Sequence, residues 1–312
     1  MVFNRPSDLI ATLPMTASTL PPPRLGYDLL DPLAALKRLF RNFLVYLRFF
    51  VAFSIGREDF TRLEALKGVG RGSRALVLAN GPSQEMLDPA LLEKFERAGN
   101  VVFVVNHFFS NEKLSGLSKF HFVTSDPYWT SEDKGRAAEA IKKTSGYIFC
   151  PSGQVDTWLE HSSSERLITF CDAQVRTRGK ARLAPNRPRS FMSMTALKAL
   201  AIANWMGFDE IFVLGFDNTY FHDAMSDEMN RILTLERHAG ESNYLRDRTG
   251  EWNGLADYFI HIALVFKDLE QFRTVRAVNL DPYSLTTVFK KVTPTESLES
   301  VLLGSGGQPR GA

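Results

Sequence analysis

The sequence predicts an α/β fold, a mostly parallel sheet covered by helices on both faces. Short apolar runs alternate along the chain with helix-like segments, which is the pattern of strands joined by helical crossovers. The apolar runs are continuous and show no regular alternation with polar residues, as expected for strands buried on both faces. Small and polar residues follow several of these runs, as they do where strands end in turns.

The elements follow one another in a regular order from residue 74 onwards. The predicted strands are residues 75–79, 101–106, 120–126, 146–150, 210–217 and 275–281. The predicted helices are residues 86–99, 131–144, 190–208 and 255–272. We expect Ser131 and Ser190 to cap two of these helices, and Gly99 and Gly207 to end two of them. Residues 152–189 and 222–252 are polar, and the sequence places no secure element there.

Composition divides the chain into four parts. Residues 1–25 are rich in Pro, Ser and Thr and predict a disordered leader. Residues 26–72 predict a basic, aromatic helical segment, residues 73–295 the α/β domain, and residues 296–312 a flexible tail. The formal net charge of +2 gives no global field that would attract nucleic acid. Two cysteines, Cys150 and Cys171, suit a reducing cytosol better than a disulfide framework.

The segment from Leu33 to Asp59 is rich in Leu, Phe and Val, and four basic residues interrupt it. Its longest uncharged apolar run, from Phe49 to Ile55, is far shorter than the ~20 residues that span a bilayer. Two interpretations remain. The segment is either a basic amphipathic helix that lies on the anionic inner face of a membrane, or a helix that buries its aromatic residues against the domain.

Polar residues cluster after the predicted strands. In an open parallel sheet, ligands bind beyond the carboxyl ends of the strands, so these residues are candidates for one site. Amide side chains can donate and accept hydrogen bonds, which suits bases, ribose hydroxyls and phosphates. The candidates at the strand ends are Asn80, Gly81, Pro82, Ser83, Asn106, Ser125, Asp126, Gly215, Asp217, Asn218 and Asn279.

The turn Asn80-Gly81-Pro82-Ser83 follows the first predicted strand. Gly81 allows a close backbone approach or a positive φ, and Pro82 suits the first turn of a helix. Ser83 could cap that helix, whose free N–H groups would face a phosphate. A plain strand–turn–helix connection explains the same residues equally well. No Walker loop or Gly-x-Gly-x-x-Gly motif is present at this turn.

Four stretches together resemble one broad superfamily: "LVLANGPS", "VVFVVNHFF", "ALAIANWMGFDEIFVLGFD" and "VRAVNLDPYSLTTVFKKV". Over roughly residues 74–292 the chain is similar to the bacterial CMP-sialic acid-dependent sialyltransferases. It is equally similar to the group of motility accessory factors and MptE-like proteins, which includes a 6-hydroxymethylpterin diphosphokinase. The resemblance implies a Rossmann-like sheet and a nucleotide-binding domain over residues 73–295.

The sialyltransferase resemblance also implies roles for individual residues. Asn80 and Asn106 would contact the nucleotide, and Ser193 or Thr195 in the long apolar helix would contact the donor. Tyr220, displaced by one residue from the family's position, would stabilise the leaving phosphate. The chain departs from the family where Met192 replaces an arginine, for which Arg187 or Arg189 could substitute.

The family's histidine base has no counterpart at its expected place. The histidines considered instead are His107, His222, His238 and His261. His222 follows the Gly-Phe-Asp strand end and is therefore our candidate base. We predict His222, Tyr220 and Asp217 as the catalytic residues.

Three functions remain open. The first is a glycosyltransferase that uses CMP-sialic acid or a similar nucleotide sugar, without a metal, on a surface glycan or glycolipid. The second is a diphosphokinase that transfers diphosphate from ATP and needs Mg²⁺, with Asp126 and Asp217 as carboxylate ligands. The third is a non-catalytic nucleotide-binding relative. We expect no nucleic acid partner, and the sequence leaves homo-oligomer formation open.

Overall fold

The computed structural model describes most of the α/β region and the helix that precedes it. The described residues are 32–54, 59–126, 129–175, 183–190, 192, 194–218, 223–240, 243–251 and 254–304, apart from a few side chains within helices and strands. The predicted leader, residues 1–25, lies outside this part of the chain, as do Ser193, Tyr220 and His222.

An eight-stranded sheet forms the centre of the molecule, and all of its strand pairs are parallel. Its strands are β1 (Arg74–Leu78), β2 (Val101–Val105), β3 (Phe120–Val123), β4 (Ile148–Pro151), β5 (Leu167–Phe170), β8 (Glu210–Leu214), β12 (Ala277–Asn279) and β13 (Lys290–Lys291). Their spatial order is β13-β12-β8-β1-β2-β3-β4-β5. The predicted Rossmann-like α/β fold is therefore confirmed.

Two smaller sheets accompany the large one. A parallel pair consists of β6 (Gln174–Val175) and β7 (Arg189–Ser190). A three-stranded antiparallel sheet consists of β9 (Ala224–Ser226), β10 (Ile232–Glu236) and β11 (Tyr244–Asp247). We refer to this antiparallel sheet, together with the Arg237–Gly240 segment that follows β10 and with Arg248 after β11, as the lid.

Helices lie on both faces of the large sheet. They are α1 (Pro32–Ser54), α2 (Thr61–Ala65), α3 (Pro89–Arg97), α4 (Ser131–Lys142), α5 (Val155–Leu159), α6 (Thr195–Met206), α7 (Leu255–Leu269) and α8 (Leu298–Leu303). Side chains of β1 alternate between the faces: Ala75 and Val77 join the core under α6, whereas Leu76 and Leu78 join the core under α3 and α4. This two-sided burial explains why the strands read as continuous apolar runs.

The strand order creates a topological switch point between β1 and β8. From β1 the chain builds outward through β2, β3 and β4 to β5, and it then returns to the other side of β1 as β8. In open α/β sheets, ligands bind in the crevice at such a point, beyond the carboxyl ends of the strands. The turns after β1 and β8 are therefore the first place to look for a site.

Two predicted helix caps are wrong. Thr130 precedes α4, and its hydroxyl accepts the N–H of Asp133, so Ser131 is the first helical residue and not the cap. Ser190 lies in β7, and α6 begins only at Thr195, without a side-chain cap. Gly207 ends α6 in the left-handed conformation, as predicted.

The first turn also differs from expectation. A short 3₁₀ helix, Pro82–Met86, follows β1, and α3 starts after Asp88, which accepts the N–H of Ala90 and is its cap.

Residues 298–303 form α8 with Leu302 fully buried, so the folded region continues past residue 295, where the sequence placed its end.

Candidate functional site

A cavity of about 850 Å³ lies at the switch point, between the strand ends, the lid and α7. This volume is within the range of sites for small molecules and cofactors. The strand ends and the start of α6 contribute Asn80, Gly81, Pro82, Asn106, Ser125, Asp126, Thr195, Gly215, Asp217 and Asn218. We refer to these residues as the sheet wall. The lid contributes Thr234, Leu235, Glu236, Arg237, His238 and Arg248, and α7 contributes Tyr258, Ile262 and Val265.

The ends of β1 and β8 are locked against each other by two glycines. The N–H of Gly81 donates to the Gly215 carbonyl at 3.1 Å. A Cβ on Gly81 would overlap the Asp217 carboxylate and the Gly215 carbonyl, and a Cβ on Gly215 would overlap the Ala79 carbonyl. Gly81 has φ −70°, so its role is close backbone approach, whereas Gly215 has φ +80° and needs glycine for its conformation as well.

Ser83 and Asp217 fasten the same junction. The Ser83 N–H and hydroxyl donate to the two Asp217 carboxylate oxygens at 2.9 and 3.0 Å. The Ser83 hydroxyl also accepts the Gly215 N–H at 3.0 Å. Ser83 is buried and is not part of the cavity wall. Its side chain therefore joins two strand ends, and it does not cap the helix as the sequence suggested.

Burial raises the pKa of the Asp217 carboxyl, and the nearby Asp281 carboxylate adds to the rise, although the bonds from Ser83 oppose it. Both oxygens of this buried carboxylate already accept hydrogen bonds from Ser83. Within the described residues, no group of three His, Cys, Asp or Glu side chains could hold a metal ion. The predicted magnesium role of Asp126 and Asp217 stays a prediction.

Asn80 is anchored through its backbone and has an unused acceptor. Its carbonyl accepts the N–H of Ala239 at 2.9 Å, which ties the lid to the turn after β1. Its side-chain Oδ1 is buried and has no hydrogen-bond partner within the described protein. An unpaired buried acceptor costs about 1–3 kcal/mol, so a ligand donor at this position would recover that energy.

Asn106, Ser125 and Thr195 form one hydrogen-bonded group beneath the cavity. Asn106 Nδ2 donates to Thr195 Oγ1 at 3.0 Å, and the hydroxyls of Ser125 and Thr195 lie 2.7 Å apart. Asn106 has φ +40°, a conformation that asparagine tolerates better than most residues. Two strand-end residues and the first residue of the apolar helix therefore lie together at the cavity, and their predicted contacts with a donor stay predictions.

The lid carries charged residues that face the sheet wall. Arg248 donates to Glu236 at 2.7 Å, and Arg237 lies 3.0 Å from Asp223. Burial would raise the pKa of Glu236, but Arg248 and the Thr234 hydroxyl outweigh it and hold that pKa below its usual value. Sequence reasoning missed this structure because strands β9 to β11 are short and lie in a stretch that is polar overall.

His238 is the lid histidine that lines the cavity. Its Nε2 lies 3.8 Å from Glu236 Oε2, and its side chain is 41% exposed. His107, another histidine considered from the sequence, stacks on Trp129 with ring centroids 4.8 Å apart, outside the cavity wall.

A buried ion cluster lies at the start of α6. Asp172 accepts from Arg189 Nη2 at 2.6 Å and from Lys198 Nζ at 3.0 Å. Burial lowers the pKa of Lys198, and Asp172 opposes that shift. Lys198 and Asp172 line the cavity, whereas Arg189, the predicted substitute for the family arginine, is fully buried behind them.

The remaining predicted residues are placed as follows. Asn279 is fully buried away from the cavity, and its Oδ1 accepts the Asp281 N–H at 3.1 Å. Asn218 lines the cavity, but its amide donates to the Phe216 carbonyl and to Thr286. Ser193, Tyr220 and His222 lie outside the described residues, so their predicted roles stay predictions.

The fold and the cavity define an α/β protein with a Rossmann-like parallel sheet and a crevice at its switch point. No protein-family model, curated protein or solved structure matches this chain.

Proposed function

We propose that this protein is a glycosyltransferase that uses a nucleotide sugar, of the CMP-sialic acid type, without a metal ion. The observation that carries the proposal is the sheet wall. Neutral amides and hydroxyls from β1, β2, β3 and α6 converge at the switch point of a parallel sheet, where nucleotides bind in this architecture.

The Asn80 amide supports a nucleotide ligand in particular. The residue lines a cavity large enough for a nucleotide sugar, and its buried Oδ1 has no partner within the described protein. A base amino group or a ribose hydroxyl could donate to it. The Asn106–Ser125–Thr195 group supplies further hydroxyl and amide positions that are fixed before any ligand binds.

The charges on the cavity wall favour a ligand with few negative charges. Lys198, Arg237 and Arg248 line the cavity, and each is already within 3.0 Å of a carboxylate oxygen. A nucleoside triphosphate would bring several negative charges to these balanced pairs. A nucleoside monophosphate sugar brings far fewer, and neutral donors suffice to hold it.

His238 is our candidate for the base within the described residues. In the proposed reaction, the bond between the sugar carbon and the donor phosphate oxygen breaks as the acceptor oxygen bonds to that carbon. The acceptor proton passes to the imidazole of His238, which Glu236 would stabilise once protonated, and the nucleotide leaves as its phosphate. His222 remains the alternative from the sequence.

We also propose that the acceptor is a glycan or glycolipid at the inner face of a membrane. No helix among the described residues has the length and apolarity needed to span a membrane. We propose that contact with the membrane surface is peripheral and is made through α1.

A thermal-shift screen with CMP, CDP, UDP, GDP and ATP, each with and without Mg²⁺, tests the proposal. We expect a cytidine nucleotide to raise the melting temperature in the absence of metal, because ligand binding to the folded state stabilises it. A response only to ATP with Mg²⁺ would favour the diphosphokinase and refute the transferase. No response to any nucleotide would refute both.

Replacement of His238 by Gln separates the base from the binding groups. If His238 is the base, this change lowers the rate of transfer or of slow donor hydrolysis by about 10²–10⁴. Nucleotide affinity should change little, since the sheet wall holds the nucleotide. An unchanged rate in His238→Gln together with a loss in His222→Gln would move the role to His222.

A further inference from the structure

Helix α1 exposes a continuous apolar stripe. Eight large apolar side chains on it are between 46% and 64% exposed: Leu36, Leu39, Phe40, Phe43, Leu47, Phe50, Val51 and Phe53. At 3.6 residues per turn they fall within an arc of about 160°. Contiguous apolar surface of this kind is uncommon on soluble monomers and marks a surface that contacts something else.

The opposite side of the same helix is fixed to the domain. Phe49 packs against the core and stacks on Phe60, with ring centroids 6.2 Å apart and the planes 15° from parallel. Phe60 is buried at the start of α2. The helix therefore packs on the domain through one side and leaves the other side exposed.

The basic residues of α1 favour an anionic partner. Residues 32–54 contain Lys37, Arg38, Arg41 and Arg48 and no Asp or Glu. Arg41 and Arg48 are exposed and lie along one margin of the stripe at helical spacing. Two copies of this helix that paired through their stripes would bring these cations together, whereas an anionic lipid surface would neutralise them.

We propose that the exposed stripe of α1 binds anionic membrane surfaces, with its Leu and Phe side chains in the lipid and Arg41 and Arg48 at the headgroups. The proposed lipid contact is argued only from the exposed side chains and charges of α1. The purpose of this contact, which is to bring the cavity to a membrane-embedded acceptor, rests on the proposed glycosyltransferase function.

The position of α1 agrees with this purpose. It contacts β6, which pairs with β7. The segments next to this pair include Asp172 and Met192, and both line the cavity. Helix α1 therefore contacts a strand pair whose neighbouring segments in the sequence contribute to the cavity wall.

Vesicle sedimentation of the full chain tests the proposal. We expect binding to phosphatidylcholine vesicles that contain phosphatidylglycerol, weak binding to phosphatidylcholine alone, and a decrease in binding as salt increases. Phe43→Ser with Phe50→Ser should weaken binding by at least about tenfold, because both rings leave the lipid. Arg41→Gln with Arg48→Gln should weaken binding to anionic vesicles by roughly fivefold for each charge removed.

Tyr283→Ser is the matched control, because Tyr283 is an aromatic side chain that is 76% exposed elsewhere on the surface. This change should leave vesicle binding unaltered. Wild-type protein that stays in the supernatant, or a Phe43/Phe50 variant that sediments as the wild type does, would overturn the proposal. So would a wild-type dimer that binds no vesicles and becomes monomeric in that variant.

The nucleotide screen on the same variants keeps the two proposals separate. We expect the Phe43/Phe50 variant to keep the wild-type thermal shift with nucleotides, because its substitutions lie outside the cavity wall. If the Phe43/Phe50 variant loses vesicle binding and keeps its nucleotide response, lipid binding by the stripe is supported independently of the activity. If the wild type binds vesicles but responds to no nucleotide, lipid binding is kept and the proposed function is refuted.

Discussion

The sheet wall and the lid face each other across one cavity, but they differ in charge and in the contacts that hold them in place. Most side chains of the sheet wall are uncharged, and two glycines and the Ser83–Asp217 pair hold the ends of β1 and β8 in contact. The lid presents more charged side chains to the cavity, and ion pairs such as Arg248–Glu236 add to the backbone pairing of its antiparallel strands. The lid meets the sheet wall through single bonds such as Ala239 to Asn80.

This difference predicts that the sheet wall holds a ligand in a fixed position and that the lid adjusts to the ligand. A ligand on the sheet wall meets groups that are fixed by the core and cannot move without disturbing it. A ligand under the lid meets long side chains whose ion pairs can exchange partners. We therefore expect substitutions in the sheet wall to cost more stability than substitutions in the lid.

Gly215→Ala should have the largest effect on the sheet wall. The new Cβ would overlap the Ala79 carbonyl in a backbone with φ +80°, so we expect a loss of about 3 kcal/mol or more in unfolding free energy. Chemical denaturation measures it. Gly153→Ala is the control, since a Cβ there meets nothing within 4 Å, and it should change stability by less than about 1 kcal/mol. Equal losses of unfolding free energy in the two variants would contradict the inference that Gly215 holds the ends of β1 and β8 together.

Asp217→Ala should cost about 2–3 kcal/mol, because it leaves the buried Ser83 N–H and hydroxyl without their acceptor. Asp217→Asn keeps one acceptor and removes the charge. The pKa of Asp217 is raised on folding, so its ionisation opposes the folded state. Relative to Asp217→Asn, the wild type should therefore lose stability as the pH rises through the raised pKa. A parallel pH dependence in both proteins would refute this assignment.

Glu236→Gln tests the lid and should have the smallest effect, roughly 1–2 kcal/mol at neutral pH. The pKa of Glu236 is lowered on folding, so its contribution is present above its usual value of 4.5 and is lost as the pH falls through the lowered pKa. Glu251→Gln removes the more exposed partner of the same Arg248 and should cost less than about 0.5 kcal/mol. Thermal unfolding at several pH values compares them, and a larger loss for Glu251→Gln would contradict this account of the lid.

The sequence predicted the sheet wall because strand ends leave a local signal. An apolar run followed by Asn80-Gly81 or by Gly215-Phe216-Asp217 predicts a strand and its turn, and parallel order then brings the turns to one edge. The roles within the turns were not predictable, because the Ser83 and Asp217 side chains lie 134 residues apart in the sequence. Only the folded chain shows that these two residues bind each other.

Elements held by long-range pairing were missed for the same reason. Strand β5 is a short edge strand in a polar stretch, and β7 exists only because it pairs with β6. Once Ser190 belongs to β7, it cannot cap α6, which starts at Thr195. The lid strands likewise depend on antiparallel pairing between polar segments, for which the sequence offers little periodicity.

Calorimetric titration of a cytidine nucleotide in the presence of EDTA tests whether the sheet wall binds a nucleotide without a metal ion. We expect saturable binding to the wild type and about tenfold weaker binding to Asn80→Ala, which removes the buried acceptor. Asn106→Gly should weaken binding similarly while keeping the backbone conformation, and Asn204→Ala, at the far end of α6, should not. No binding in EDTA, or equal affinity in wild type, Asn80→Ala and Asn106→Gly, would contradict the nucleotide site.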